Sequence, residues 1–131
     1  MQPFSLRAAA VGIALLIGMA GSVFADAKDY EFQLLDTEVK HGPAVISVKL
    51  VHKPSGRAIA DAVIFAKRID MGPDGMEMMA APIELTSSTE PGVYRFKAEL
   101  GMTGQWALSL GAKVQGETGT VEDKLIVKAT Q

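Results

Sequence analysis

In the stretch Val93-Tyr94-Arg95-Phe96-Lys97-Ala98-Glu99-Leu100, Tyr94, Phe96, Ala98 and Leu100 alternate with Arg95, Lys97 and Glu99. Successive side chains of an extended strand point to opposite faces, so this pattern predicts a strand with one face buried and one in water. Working outward, six more segments read as strands. Tyr30, Phe32 and Leu34 alternate with Glu31 and Gln33, and Ile46, Val48 and Leu50 alternate with Ser47 and Lys49. Val63 to Ile69 has a more continuous apolar start, and Ile83 to Leu85 is short. Trp106, Leu108, Leu110 and Ala112 form a sixth strand, and Val121 to Lys128 a seventh.

The breaks carry turn chemistry. Lys53-Pro54-Ser55-Gly56, Gly72-Pro73-Asp74-Gly75, Glu90-Pro91-Gly92 and Gly116-Glu117-Thr118-Gly119 supply fixed φ or tolerate positive φ. About seven short strands joined this way predict an all-β chain, a single antiparallel β-sandwich. The sole candidate for a helical turn is Asp74 to Ala80, with Asp74 as N-cap and Glu77 three residues on.

At the N-terminus, Arg7 precedes an apolar run from Ala8 to Ala20 and the small-residue stretch Gly21 to Ala25. This is the order of a secretory signal, with Val23 and Ala25 at the small positions of a cleavage site. The expectation is a signal peptide over 1–25, a mature domain over 26–131, and a periplasmic or secreted location. The alternative is an uncleaved membrane anchor, because no charge interrupts Ala8 to Ala25 and a spanning helix needs roughly 20 apolar residues. The remaining 106 residues suffice for one domain.

The chain has no cysteine. That excludes lipid-modified lipoproteins, disulfides, and thiolate as ligand or nucleophile. Removing the leader takes away one of 13 basic residues and none of 15 acidic ones, leaving a formal charge of −3. No nucleic-acid footprint is present, and contact with a membrane is peripheral at most. There is no HExxH, P-loop, GxGxxG or GxSxG, and the two histidines are expected at opposite ends of the sandwich. Asp70, Asp74 and Glu77 read as solvated loop carboxylates. The chain is therefore read as no enzyme, with no organic cofactor.

Met71, Met76, Met78 and Met79 fall within nine residues, and Met102 is the one other methionine beyond the leader. A thioether is a soft, uncharged ligand that suits Cu(I) and, by the same softness, Ag(I). The competing readings are core or lid packing by a flexible apolar side chain and an oxidation-sensitive surface. If successive strands alternate direction, His41, the loop from Met71 to Met79 and Met102 lie at one end, and His52 at the other. Imidazole also binds copper, so the candidate metal residues are Met71, Met76, Met78, Met79, Met102 and His41. For His41 a solvated turn histidine is the alternative.

Met71 through Met79, Pro91-Gly92-Val93-Tyr94, and Met102-Thr103-Gly104-Gln105-Trp106 resemble the methionine segment, PGxY turn and MxGxW segment of the YtkA-like family, which is related to FixH. Gly56-Arg57-Ala58-Ile59-Ala60-Asp61-Ala62 is similar to its G-x-P-hydrophobic-x-x-A stretch, with Ala58 where proline is common. The resemblance covers roughly Gly42 to Val127. It implies an immunoglobulin-like sandwich and partners such as a metal efflux system or a cytochrome oxidase assembly complex. Two departures stand out: Met-Gly-Pro-Asp-Gly-Met replaces the shorter MPxM form, and Asp74 and Glu77 sit among the sulfurs. The leading expectation is a periplasmic accessory protein for copper or silver. The alternative is an interaction module for a membrane complex, without a metal role.

Overall fold

The computed structural model describes residues 27–131; the expected signal over 1–25 lies outside them. Ten strands make the fold: β1 (Tyr30–Leu34), β2 (Glu38–Lys40), β3 (Gly42–His52), β4 (Arg57–Ala58), β5 (Val63–Met71), β6 (Met76–Ala81), β7 (Ile83–Thr86), β8 (Val93–Leu100), β9 (Gly104–Lys113) and β10 (Thr120–Thr130). One sheet has the order β1-β3-β8-β7, with β4 paired to β3, and the other β2-β10-β9-β5-β6. Every ladder is antiparallel except β2 on β10. Among the described residues no helix is long and apolar enough to cross a membrane.

The seven expected strands are all present, β8 over the residues that the alternation gave. Three more are added. β2 and β4 are too short to show a period. β6 is a correction: Met76–Ala81 is an extended edge strand, not a loop or a helical turn. Gly75 adopts φ +78 after a 3-10 turn over Gly72–Asp74, and its N–H donates to the Gly72 carbonyl at 2.8 Å. The left-handed residue ends the turn and sends the chain back along β5.

Alternation fills the space between the sheets. Ile46, Val48 and Leu50 of β3 and Phe96 and Leu100 of β8 pack against Ile69, Met71, Trp106, Leu108, Leu110 and Val127, all buried. Hydrophobic burial at roughly 25 cal/mol per Å² is the main favourable term. The apolar start of β5 does not join this core: Val63 and Phe65 are exposed. The β5–β9 register shifts between Ile64 and Ala66, and Phe65 lies over Gly111, where an added Cβ would stand 2.9 Å from its ring. At the side of the sandwich, Asp123 accepts the Phe32 N–H at 2.9 Å, and the Tyr30 hydroxyl donates to Glu117 at 2.8 Å.

Candidate functional site

The chain reversal after β5 is built from short-range polar bonds. The Asp70 carboxylate accepts the Gly72 N–H and the Arg68 Nε–H, both at 2.8 Å, while Arg68 Nη2 donates to the Glu77 carbonyl at 3.0 Å. The Gly72 N–H, with help from Arg68, holds the Asp70 carboxyl below its ordinary value. Asp74 accepts the Gln105 N–H at 3.0 Å, which pins the 3-10 turn to the start of β9. Asp70 and Glu77 thus flank Gly72, whereas Asp74 points to the start of β9. Among the described residues no three His, Asp or Glu side chains are grouped to hold a metal ion.

The methionines are placed by this hairpin. Asp70 pairs with Ala80, but Met71 pairs with Met76, so Glu77, Met78 and Met79 bulge out of the ladder. The five sulfur side chains differ sharply in exposure: Met71 0%, Met76 36%, Met102 42%, Met79 44% and Met78 95%. Met71 is a core residue, which is the packing reading of that position.

Met102 lies in the bend between β8 and β9. The buried Trp106 donates its indole N–H to the Met102 carbonyl at 3.1 Å, fixing the backbone of the bend and leaving the Met102 side chain half exposed. Gly104 follows at φ +139, and a Cβ there would meet Asp74 Oδ2 at 2.5 Å and Met71 Cε at 2.7 Å. Met71 therefore runs from its partner Met76 to the backbone just beyond Met102. β6 also comes against β8. The β7–β8 register, Ile83 to Ala98, is extended by the Glu99 N–H on the Pro82 carbonyl, which sets the link from β6 to β7 against the end of β8.

The histidines separate as the alternating directions require. His41 precedes β3 at the methionine end, its backbone N–H and its Nδ1 both on the Thr130 carbonyl, at 2.8 and 3.0 Å. His52 ends β3, its ring tilted 54° from that of Tyr30 with centroids 5.0 Å apart. His41 immediately precedes Gly42, whose pairing with Leu100 brings it beside the end of β8 that leads into Met102, while its bonds to Thr130 hold it against β10. Of the expected residues, Met71 pairs with Met76 and reaches Gly104, His41 lies beside the end of β8, and Met78 stands out in solvent. A one-dimensional reading gives the end of the sandwich but not the order of strands across the sheet. Asp74 on Gln105 and the close approach at Gly104 had no sequence signal beyond the Gly-Pro-Asp-Gly turn and the glycine itself.

The remaining motif residues are absorbed by the fold. The Tyr94 hydroxyl donates to the Ile59 carbonyl at 2.7 Å and accepts the Ala62 N–H at 3.1 Å. Gly92, at φ +84, lies against this same segment; a Cβ would stand 2.5 Å from that of Ala58. The Gly56 to Ala62 stretch and the Pro91 to Tyr94 turn are therefore two sides of one contact, at the His52 end.

Two facing five-stranded sheets with these locked turns define an immunoglobulin-like β-sandwich module. The model of the YtkA-like family matches residues 24–111, and the chain belongs to that family. The match takes in β1 through most of β9 and stops before β10, earlier than the resemblance drawn through Val127. No curated protein matches the chain. Among solved structures it is similar to the Lin-41 filamin domain, with 18% identity, a TM-score of 0.44, and 73% of this chain and 92% of that one covered. It is also similar to the ZirS C-terminal domain, with 9% identity, a TM-score of 0.49, and coverages of 100% and 88%.

Proposed function

We propose that this protein is a non-enzymatic, exported accessory module that binds a soft monovalent ion, Cu(I) or Ag(I), through Met76, Met79 and Met102, with Met71 beneath them. The observation that supports the reading is the docking of the Gly72–Asp74 turn, which leads into β6, on the start of β9 just beyond Met102. Met76 faces Met71, and Met71 reaches Gly104. Thioethers bind soft ions without losing a proton, so these sulfurs are available as donors at any ordinary pH. Their partial exposure suits exchange more than storage. A metal efflux system or an oxidase assembly complex is the partner class to which such an ion would pass. The leader over 1–25 supports a periplasmic site of action, with a membrane-anchored form as the alternative.

Ag(I) titration in competition with a soft-metal chelator tests this. The chain with Met76, Met79 and Met102 changed to Leu is expected to lose binding; binding equal to the parent's would sink the idea. A second reading is favoured by the exposure of Met78 and its neighbours: a pliable apolar contact surface for a protein partner. It predicts no Ag(I) affinity in the parent, and a pull-down that is lost when Met76, Met78 and Met79 are changed.

A further inference from the structure

We infer that the methionine end is a graded oxidation site for peroxides: Met78 reacts first, Met79, Met102 and Met76 follow, and Met71 is spared while the domain stays folded. Methionine oxidation follows access to the sulfur, and here five thioethers within one end of one domain span the range from fully buried to nearly fully exposed. The bulge formed by Glu77, Met78 and Met79 is what lifts Met78 clear of the ladder. In the reaction the sulfur lone pair attacks one oxygen of hydrogen peroxide. The O–O bond breaks, an S–O bond forms, the thioether is oxidised by two electrons to the sulfoxide, and the peroxide is reduced to water.

The consequences differ by position. A sulfoxide at Met78 stays in water and disturbs no packing. At Met71 it would place an unpaired polar group in the core, which folding opposes. At Met76, Met79 or Met102 it replaces a soft sulfur by a harder oxygen and weakens a soft-ion site. That last effect rests on the metal reading above; the order of oxidation does not.

The test is limited hydrogen peroxide treatment of the full chain, read by peptide mass spectrometry. Met78 sulfoxide is expected to form about twofold faster than that of Met79 or Met102, in proportion to exposure. Met71 should stay unmodified until urea unfolds the chain, where all five react alike. Oxidation of Met71 in the folded chain at the pace of the others, or a Met78 no faster than Met79, would overturn the inference. A second arm repeats the treatment with saturating Ag(I), which is expected to protect Met76, Met79 and Met102 but not Met78. If the order holds and Ag(I) protects nothing, the oxidation site stands and the metal reading falls. If Ag(I) shields Met78 as strongly as the other three, the order measured without Ag(I) stands and the metal reading that leaves Met78 out falls.

Discussion

The two ends of this sandwich are fixed by the same devices and left with different surfaces. At the His52 end, Gly92 lets the chain approach Ala58, and Tyr94 ties its hydroxyl to Ile59 and Ala62. At the opposite end, Gly104 lets the chain approach Asp74 and Met71, and Trp106 ties its indole N–H to Met102. In each case a glycine permits close contact and an aromatic residue anchors a loop. At the first end the anchored side chains fill the contact they make. At the second the anchored backbone carries sulfur side chains outward, and packing accounts for Met71 alone. Side chains that packing does not require, on a backbone that is held still, are where a function of this module is to be sought.

The largest expected effects break one end or the other. Met71→Ala removes a fully buried side chain from the core and should cost about 3 kcal/mol in urea unfolding, whereas Met79→Ala should cost under about 1 kcal/mol. Gly104→Ala and Gly92→Ala each combine a positive φ with a clash and should cost about 3 kcal/mol apiece. Only the Gly104 change should also weaken Ag(I) binding. Equal loss of binding from both would mean that the two ends are not independent.

Smaller effects sharpen the contrast. Tyr94→Phe leaves the Ile59 carbonyl and the Ala62 N–H without their partner and should cost about 1–2 kcal/mol without changing an Ag(I) titration. Asp74→Ala releases the hairpin from Gln105 at about 1 kcal/mol, and should lower Ag(I) affinity because the two sulfur-bearing segments then move apart. Asp70 gives the pH dependence. Its folded value lies below the unfolded one, so its contribution to stability is complete above the unfolded value of about 4 and is lost as pH falls through the folded value. Asp70→Asn should flatten that acid limb, seen as a shallower fall of urea midpoint with pH. Changing Met76, Met79 and Met102 together to Leu should move stability by no more than about 1 kcal/mol while abolishing Ag(I) binding.

Much of the fold is legible along the chain because burial on one face writes a period of two, as in β8, β9 and β3. β6 is not legible for the same reason: Met-Glu-Met-Met-Ala-Ala has no period, its middle bulges out of the ladder, and it lies on an edge where almost nothing is buried. The apolar start of β5 misleads in the opposite sense, since Val63 and Phe65 sit on the outer face. For the site, the residue types and the end of the molecule followed from the sequence and strand direction, but the burial of Met71 and the exposure of Met78 did not.

What the sequence by itself determined is therefore the all-β class, the seven main strands, the turn positions and the gathering of methionines near one end. Each of these is set by neighbours along the chain, through alternation, fixed φ and local composition. Only the tertiary structure decided which strands lie side by side. It also decided that Met71 is core, that Met78 is the most exposed of the described methionines, and that the hairpin turn docks on the start of β9 just beyond Met102. The lateral order depends on pairings as much as 90 residues apart, such as Glu38 with Lys128, and no local pattern encodes the order in which a sheet assembles.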